Sequence, residues 1–176
     1  PYISFKNETV TIPQTFPMQH QNVQPGMEYE MTPLPIFENP NYIPSHKLEG
    51  KVAIISGGDS GIGRAVSLLF AKEGANIVIS YLNEHQDANY TKQLVESCNR
   101  KCILVPGDLR DEALSSHIVD VAIKNFGKID ILVNNCGVQF PQNSILDISS
   151  KQLKDTFETN IYTFFYLTKA VLPCLK

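Results

Sequence analysis

The sequence has 176 residues, enough for one hydrophobic core of ordinary domain size. Its 43% hydrophobic and 19% charged residues suit a globular protein, and a net charge of −3 gives no electrostatic reason to expect nucleic acid or an anionic membrane as partner. No apolar run approaches the roughly 20 residues of a membrane span, and the opening residues lack a basic start followed by an apolar stretch, so a cytoplasmic protein is expected. Four cysteines, Cys98, Cys102, Cys136 and Cys174, form no pair of C-x-x-C motifs, which points to reduced thiols and no metal site.

Residues 1–48 hold eight of the eleven prolines and keep neither a helical nor a strand period. Proline removes a backbone donor and disfavours helix at the residue before it, so an extended arm is expected. Two readings of this arm stay open. One is a disordered tail; the other is a segment whose Tyr29, Met31, Leu34, Ile36, Phe37 and Tyr42 pack along a neighbouring surface.

Over 49–176 short apolar runs alternate with amphipathic stretches. Strands are expected at Val52–Ser56, Ile77–Tyr81, Cys102–Val105 and Ile129–Val133, each apolar on both faces as in a covered parallel sheet. In the helix after the first strand, Ile62, Ala65, Val66, Leu69 and Phe70 fall at helical spacing and predict one buried stripe. Leu114, Ile118, Val121, Ala122 and Phe126 do the same before the fourth strand. Alternating strands and helices with right-handed crossovers define an α/β fold, a doubly wound parallel sheet with the first strand near its centre.

The turn after the first strand reads Ser56-Gly57-Gly58-Asp59-Ser60-Gly61-Ile62-Gly63-Arg64. A side chain at Gly57 would obstruct the turn, one at Gly61 would keep the backbone from a pyrophosphate, and one at Gly63 would hold the helix off the sheet. The following helix start offers free N–H groups and a positive dipole end to phosphate. At the end of the second strand Tyr81 stands where an acidic residue would select NAD and Leu82 where a basic one would favour NADP, so the choice between the two is unresolved. Two readings are open for Glu84 and Arg64: Glu84 reaching back to the ribose and Arg64 favouring phosphate, or, as expected for both, solvated surface charges.

The spacing G-x-x-x-G-x-G, with Gly107-Asp108-Leu109 after the third strand, Asn134-Asn135-Cys136-Gly137 after the fourth and Asn160 beyond, resembles the short-chain dehydrogenase/reductase family. With its arm the sequence is most similar to the bacterial subgroup that includes general stress protein 39. That resemblance implies a Rossmann-like domain and an NAD(P)-dependent oxidoreductase interconverting a small-molecule alcohol and a carbonyl. It implies cofactor contacts from Gly57, Asp59, Ser60, Gly61, Ile62, Gly63, Tyr81, Leu82, Asp108, Leu109, Asn134, Asn135, Cys136 and Gly137. Asp108 would accept from the adenine amine, and Cys136 departs from the family's alanine. Of the family's catalytic groups only the asparagine is matched, by Asn160; the tyrosine and lysine are expected a few dozen residues beyond Lys176, so the chain by itself is expected to be inactive. The one Y-x-x-x-K present, Tyr2 with Lys6, is read as chance.

Two further expectations concern surfaces. The fourth strand would be an exposed sheet edge in need of cover. The last helix, with Leu153, Phe157, Ile161, Phe164, Phe165, Leu167, Val171 and Leu172, should be buried on two sides. Its second side would meet either the family's C-terminal half or a second subunit, the family implying a homo-oligomer, a tetramer at full length.

Overall fold

The computed structural model describes residues 17–175, so Tyr2 and Lys6 lie outside it. Four parallel strands, β1 (Val52–Ser56), β2 (Asn76–Tyr81), β3 (Cys102–Pro106) and β4 (Ile131–Val133), form one sheet in the order β3-β2-β1-β4. Between them run α1 (Gly61–Lys72), α2 (His85–Ser97) and α3 (Glu112–Phe126), followed by α4 (Ser150–Phe157) and α5 (Thr163–Val171). β1 pairs with β2 on one side, Ala53 opposite Ile77, and with β4 on the other, Ala53 opposite Ile131.

Residues alternate between the two faces of the sheet. Ala53, Ile55, Ile77, Ile79 and Tyr81 join Ala71, Ala88 and Val95 of α1 and α2 in one core. Ile54 and Val78 join Ile118, Ala122, Leu167 and Val171 of α3 and α5 in the other. Helices on both faces explain why β1 is buried along its whole length.

The buried stripe of α1 is offset from the one its large residues predict. Ile62 and Leu69 are exposed, while Gly63, Arg64, Ser67, Leu68 and Ala71 are buried. The helix lies so close to the sheet that its smallest residues must face it, which pushes the larger ones to the flanks. In α3 the centre of the stripe holds, at Ile118 and Ala122, with Leu114, Val121 and Phe126 partly buried beside it.

β4 starts two residues later than expected. Ile129 is fully buried but makes only an isolated parallel bridge to Leu175, and Ile131–Val133 are half-buried at the sheet edge. The last helix is not one regular helix either. A π turn over Glu158–Tyr162 separates α4 from α5, and Thr163, Leu167 and Val171 are buried while Leu153, Phe157, Ile161, Phe165 and Leu172 are exposed. Within this chain one side of it is covered rather than two.

The arm is anchored mainly through polar groups. Tyr29, Met31, Leu34 and Ile36 are exposed, and only Phe37 and Tyr42 of the expected apolar set are half-buried. Glu73 at the end of α1 accepts the Tyr42 hydroxyl and the backbone N–H groups of Ser45 and Lys47, the last at 2.8 Å. The Tyr42 hydroxyl first, then these amides, hold its carboxyl down at about 2. Further upstream Glu28, on a single 3-10 turn (Glu28–Glu30), is buried against α1.

Candidate functional site

Strand order reverses between β1 and β4, because the chain winds outward through β2 and β3 and then returns to the far side of β1. In such sheets a crevice opens beyond the carboxyl ends of the strands at that point. Here it is a cleft of about 420 Å³, walled by the loops after all four strands and by Thr159 and Thr163.

Gly57 opens the turn after β1 at φ +61°, and a Cβ on it would lie 2.9 Å from Cys136 Cα. The loops after β1 and β4 therefore touch only because that side chain is missing. Asn135 fastens them: its Nδ2 donates to Ser56 O at 3.1 Å and Gly57 O at 2.8 Å. Ser56 returns the contact, its Oγ accepting from the N–H groups of Asn135 and Cys136 at 3.0 and 3.2 Å. Gly63 then brings α1 against the turn, where a Cβ would stand 1.8 Å from Gly57 O.

Gly61 differs from both. It sits at φ +50° with nothing within 4 Å of where its Cβ would be, an open face at the start of a helix. Of the first-turn amides, Gly61 N–H donates to Glu28 Oε2 and Arg64 N–H to Ser60 O. The N–H groups of Ile62 and Gly63 have no protein acceptor among the described residues. Two unspent donors, a positive helix end and an uncovered glycine fit a phosphate group.

Eleven of the fifteen residues expected at the site stand in the cleft wall: Gly57, Asp59, Ser60, Ile62, Tyr81, Leu82, Asp108, Leu109, Asn135, Cys136 and Gly137. Asn134 is directed elsewhere, its Nδ2 donating to Thr168 Oγ1 on α5 at 3.0 Å. Gly61 and Gly63 shape the turn from outside the wall. Asn160, in the π turn, has both polar ends on one residue: Oδ1 accepts from Val138 N–H and Nδ2 donates to Val138 O, each at 2.8 Å. It braces the loop after β4 from behind, and Val138 is in the wall.

Asp108 is held by Arg110, which donates to it through Nε at 2.9 Å and through its own backbone N–H at 3.0 Å. The Arg110 side chain keeps the carboxyl below its ordinary range. The start of α3 is capped by Asp111, which accepts from Ala113 N–H at 3.0 Å. Tyr81 is buried with its hydroxyl 2.9 Å from His85 Nδ1. Cys136 is half-buried, its Sγ 3.6 Å from Thr163 Oγ1.

Two charges expected on the surface are inside. Glu84 is 3% exposed and stands in the wall, with Oε2 accepting from Asn83 N–H and Oε1 lacking a protein partner. Arg64 is equally buried, fixed by Asp87 and by Glu28. Lysine and arginine are seldom fully buried without a partner, and the sequence showed none nearby because Glu28 lies 36 residues away. Asp59 is buried beside these acids, and burial first, then the Glu84 and Asp87 carboxylates, push it up to about 6 despite a bond from Ser60. Gln24 and Pro25 of the arm also line the cleft, as do Phe140 and Asp155. No sequence motif marked these four.

A doubly wound sheet with a glycine turn and free amides at its switch point defines a dinucleotide-binding fold. Residues 51–176 match the model of the short chain dehydrogenase family, and the chain belongs to that family. It is 52% identical to General stress protein 39 of Bacillus subtilis (strain 168) over 164 residues, covering 93% of this chain and 57% of that protein. Similar solved structures are a short chain dehydrogenase from Mycobacterium paratuberculosis bound to NAD (TM-score 0.69, 32% identity) and one from Burkholderia cenocepacia J2315 in complex with NADP (TM-score 0.69, 30% identity). Each covers 73% of this chain and 52% of its own. The chain spans about half the length of the curated relatives it matches.

Proposed function

We propose that the protein carrying this chain is an NAD(P)-dependent oxidoreductase that interconverts an alcohol and a carbonyl, with these residues supplying the dinucleotide site. The observation that carries the reading is the pair of unspent amides, Ile62 and Gly63, at the start of α1, beside the Cβ-free face of Gly61 and next to Asp59, Ser60 and Ile62 in the cleft wall. Those amides hold the diphosphate. Leu109 and Asp108 flank the adenine end, and Asn135, Cys136 and Gly137 form the floor at the nicotinamide end. When bound, the cofactor gives or takes the hydride.

Asn160 acts as a positioning residue, since both of its polar ends are engaged in fixing Val138. For the choice of cofactor we read a preference for NAD over NADP. Asp59 and Glu84 put carboxylates into the wall near the end of β2, while Arg64 and Arg110 are already paired with carboxylates. A 2′-phosphate there meets like charge, with no unpaired cation in the wall among the described residues to answer it. The apolar band of α4 and α5 supports a homo-oligomer, a tetramer at full length.

Fluorescence titration of the intact protein with NADH and NADPH tests the reading. Both are expected to bind, NADH the more tightly. Gly61→Val is expected to weaken binding at least tenfold by placing branched carbons over the free amides. If neither dinucleotide binds the wild type, or the valine leaves affinity unchanged, the assignment of the turn is wrong.

A further inference from the structure

We propose that the proline-rich arm is a working part of the dinucleotide site, with Glu28 as the positioning residue of the glycine turn and Gln24 and Pro25 as part of the wall. This rests on the dinucleotide reading above and adds an element that lies upstream of the whole sheet.

Glu28 is 5% exposed and uses both carboxylate oxygens on the turn. Oε2 accepts from Gly61 N–H and Oε1 from Arg64 Nη1. Arg64 carries the connection onward. Its Nη2 donates to Asp87 Oδ1 and to Asp59 O, both at 3.0 Å, and its Nε to Thr91 Oγ1 at 2.8 Å. Asp87 closes the ring by accepting Glu28 N–H through Oδ2 at 3.0 Å. Phe37 of the arm and Tyr90 of α2 lie against the guanidinium, their centroids 5.4 and 5.0 Å from its carbon.

The turn is thereby pinned at two points on either side of Ser60, just ahead of the two free amides. Asp59 is held through its carbonyl and Gly61 through its amide, and Ser60 is suspended between them. Glu28 also removes Gly61 N–H from the donors available to a ligand, so it directs phosphate to the next two amides. A neutral or absent side chain at position 28 would release the turn and leave Arg64 buried beside one carboxylate instead of two. Since Gln24 and Pro25 reach the cleft just upstream of this anchor, a bound dinucleotide touches the arm. Ligand binding and arm docking must then strengthen each other by the same factor.

Three measurements on the intact protein test this. Hydrogen exchange of the peptide spanning Gln24–Phe37 is read with and without saturating NADH, and protection is expected to rise at least fivefold on binding. Glu28→Gln is expected to raise the Kd for NADH about tenfold, and Gln24→Ala, an exposed change that the fold tolerates, two- to fivefold. An arm that only supports the fold would exchange equally in both states and leave Kd unmoved in Gln24→Ala, and that result overturns the proposal even if Glu28→Gln fails to fold. Wild type that binds NADH with no response from the arm refutes this inference alone. Wild type that binds neither NADH nor NADPH removes the dinucleotide reading and this one with it.

Discussion

Replacing Gly63 by alanine adds one methyl group at the tightest point of the molecule. Its backbone is not in the left-handed region, so the cost is steric, and the new carbon would stand 1.8 Å from Gly57 O and 2.7 Å from Asn135 Nδ2. Carbon and carbonyl oxygen need about 3 Å or more, so α1 or the turn must move by over an ångström. Overpacking of this kind costs about 1–3 kcal/mol. That movement also pulls on the two bonds from Asn135 to Ser56 O and Gly57 O, each contributing about 1 kcal/mol. A loss of about 3–5 kcal/mol follows, a large part of the roughly 5–15 kcal/mol that holds a domain together. At about 2–4 °C per kcal/mol, Tm is expected to fall on the order of 10 °C by calorimetry of the intact protein. Alanine at Gly61 supplies the contrast, because its Cβ meets nothing and only the positive φ is penalised, at about 1–2 kcal/mol. Equal Tm losses at the two positions, or a Gly63→Ala protein as stable as wild type, would refute the packing argument.

Asp59→Asn tests the buried acid in the turn. Because the folded pKa is about 6 against an ordinary 3.8, the folded state keeps a proton that the unfolded chain releases, and this favours folding at low pH. The advantage is lost as pH rises from about 4 through 6, a difference of up to about 3 kcal/mol. The asparagine protein is therefore expected to be the more stable by about 1–3 kcal/mol at pH 7.5 and nearly level with wild type at pH 4, in denaturant titrations; a gap independent of pH contradicts the burial of that charge. Glu84→Gln removes one carboxylate from the wall near β2. At roughly 1 kcal/mol for one like charge in a half-screened site, the ratio of the NADPH and NADH dissociation constants should fall about fivefold, and an unchanged ratio takes Glu84 out of cofactor selection.

The strands were legible because each is a short apolar run covered on both faces, a pattern that needs no knowledge of partners. The glycine turn was legible because Gly57, Gly61 and Gly63 each have their own steric reason in the structure. What the sequence hid depends on distance or direction. Arg64 reads as a surface charge until Glu28, Asp87 and two aromatic rings are brought around it from other elements. Asn134 and Asn135 are neighbours of one type, yet one leaves the strand toward α5 and the other toward β1, and no spacing rule separates them. The α1 stripe was misplaced because size outranked hydrophobicity at a close helix–sheet contact. The π turn leaves no mark on the apolar period, so the change of phase at Asn160 could not be foreseen.

The bonds between Ser56 and Asn135 join residues 79 positions apart. No excerpt of the chain shorter than that interval can own both sides of the crevice, whichever end it is taken from. Everything in between, three strands and three helices, serves among other things as a long tether that brings an amide side chain back to the place where the first strand stops. Insertions along the tether are tolerable to the extent that the return is accurate, and a shortening that misses the rendezvous by one residue would leave a sheet without a binding place.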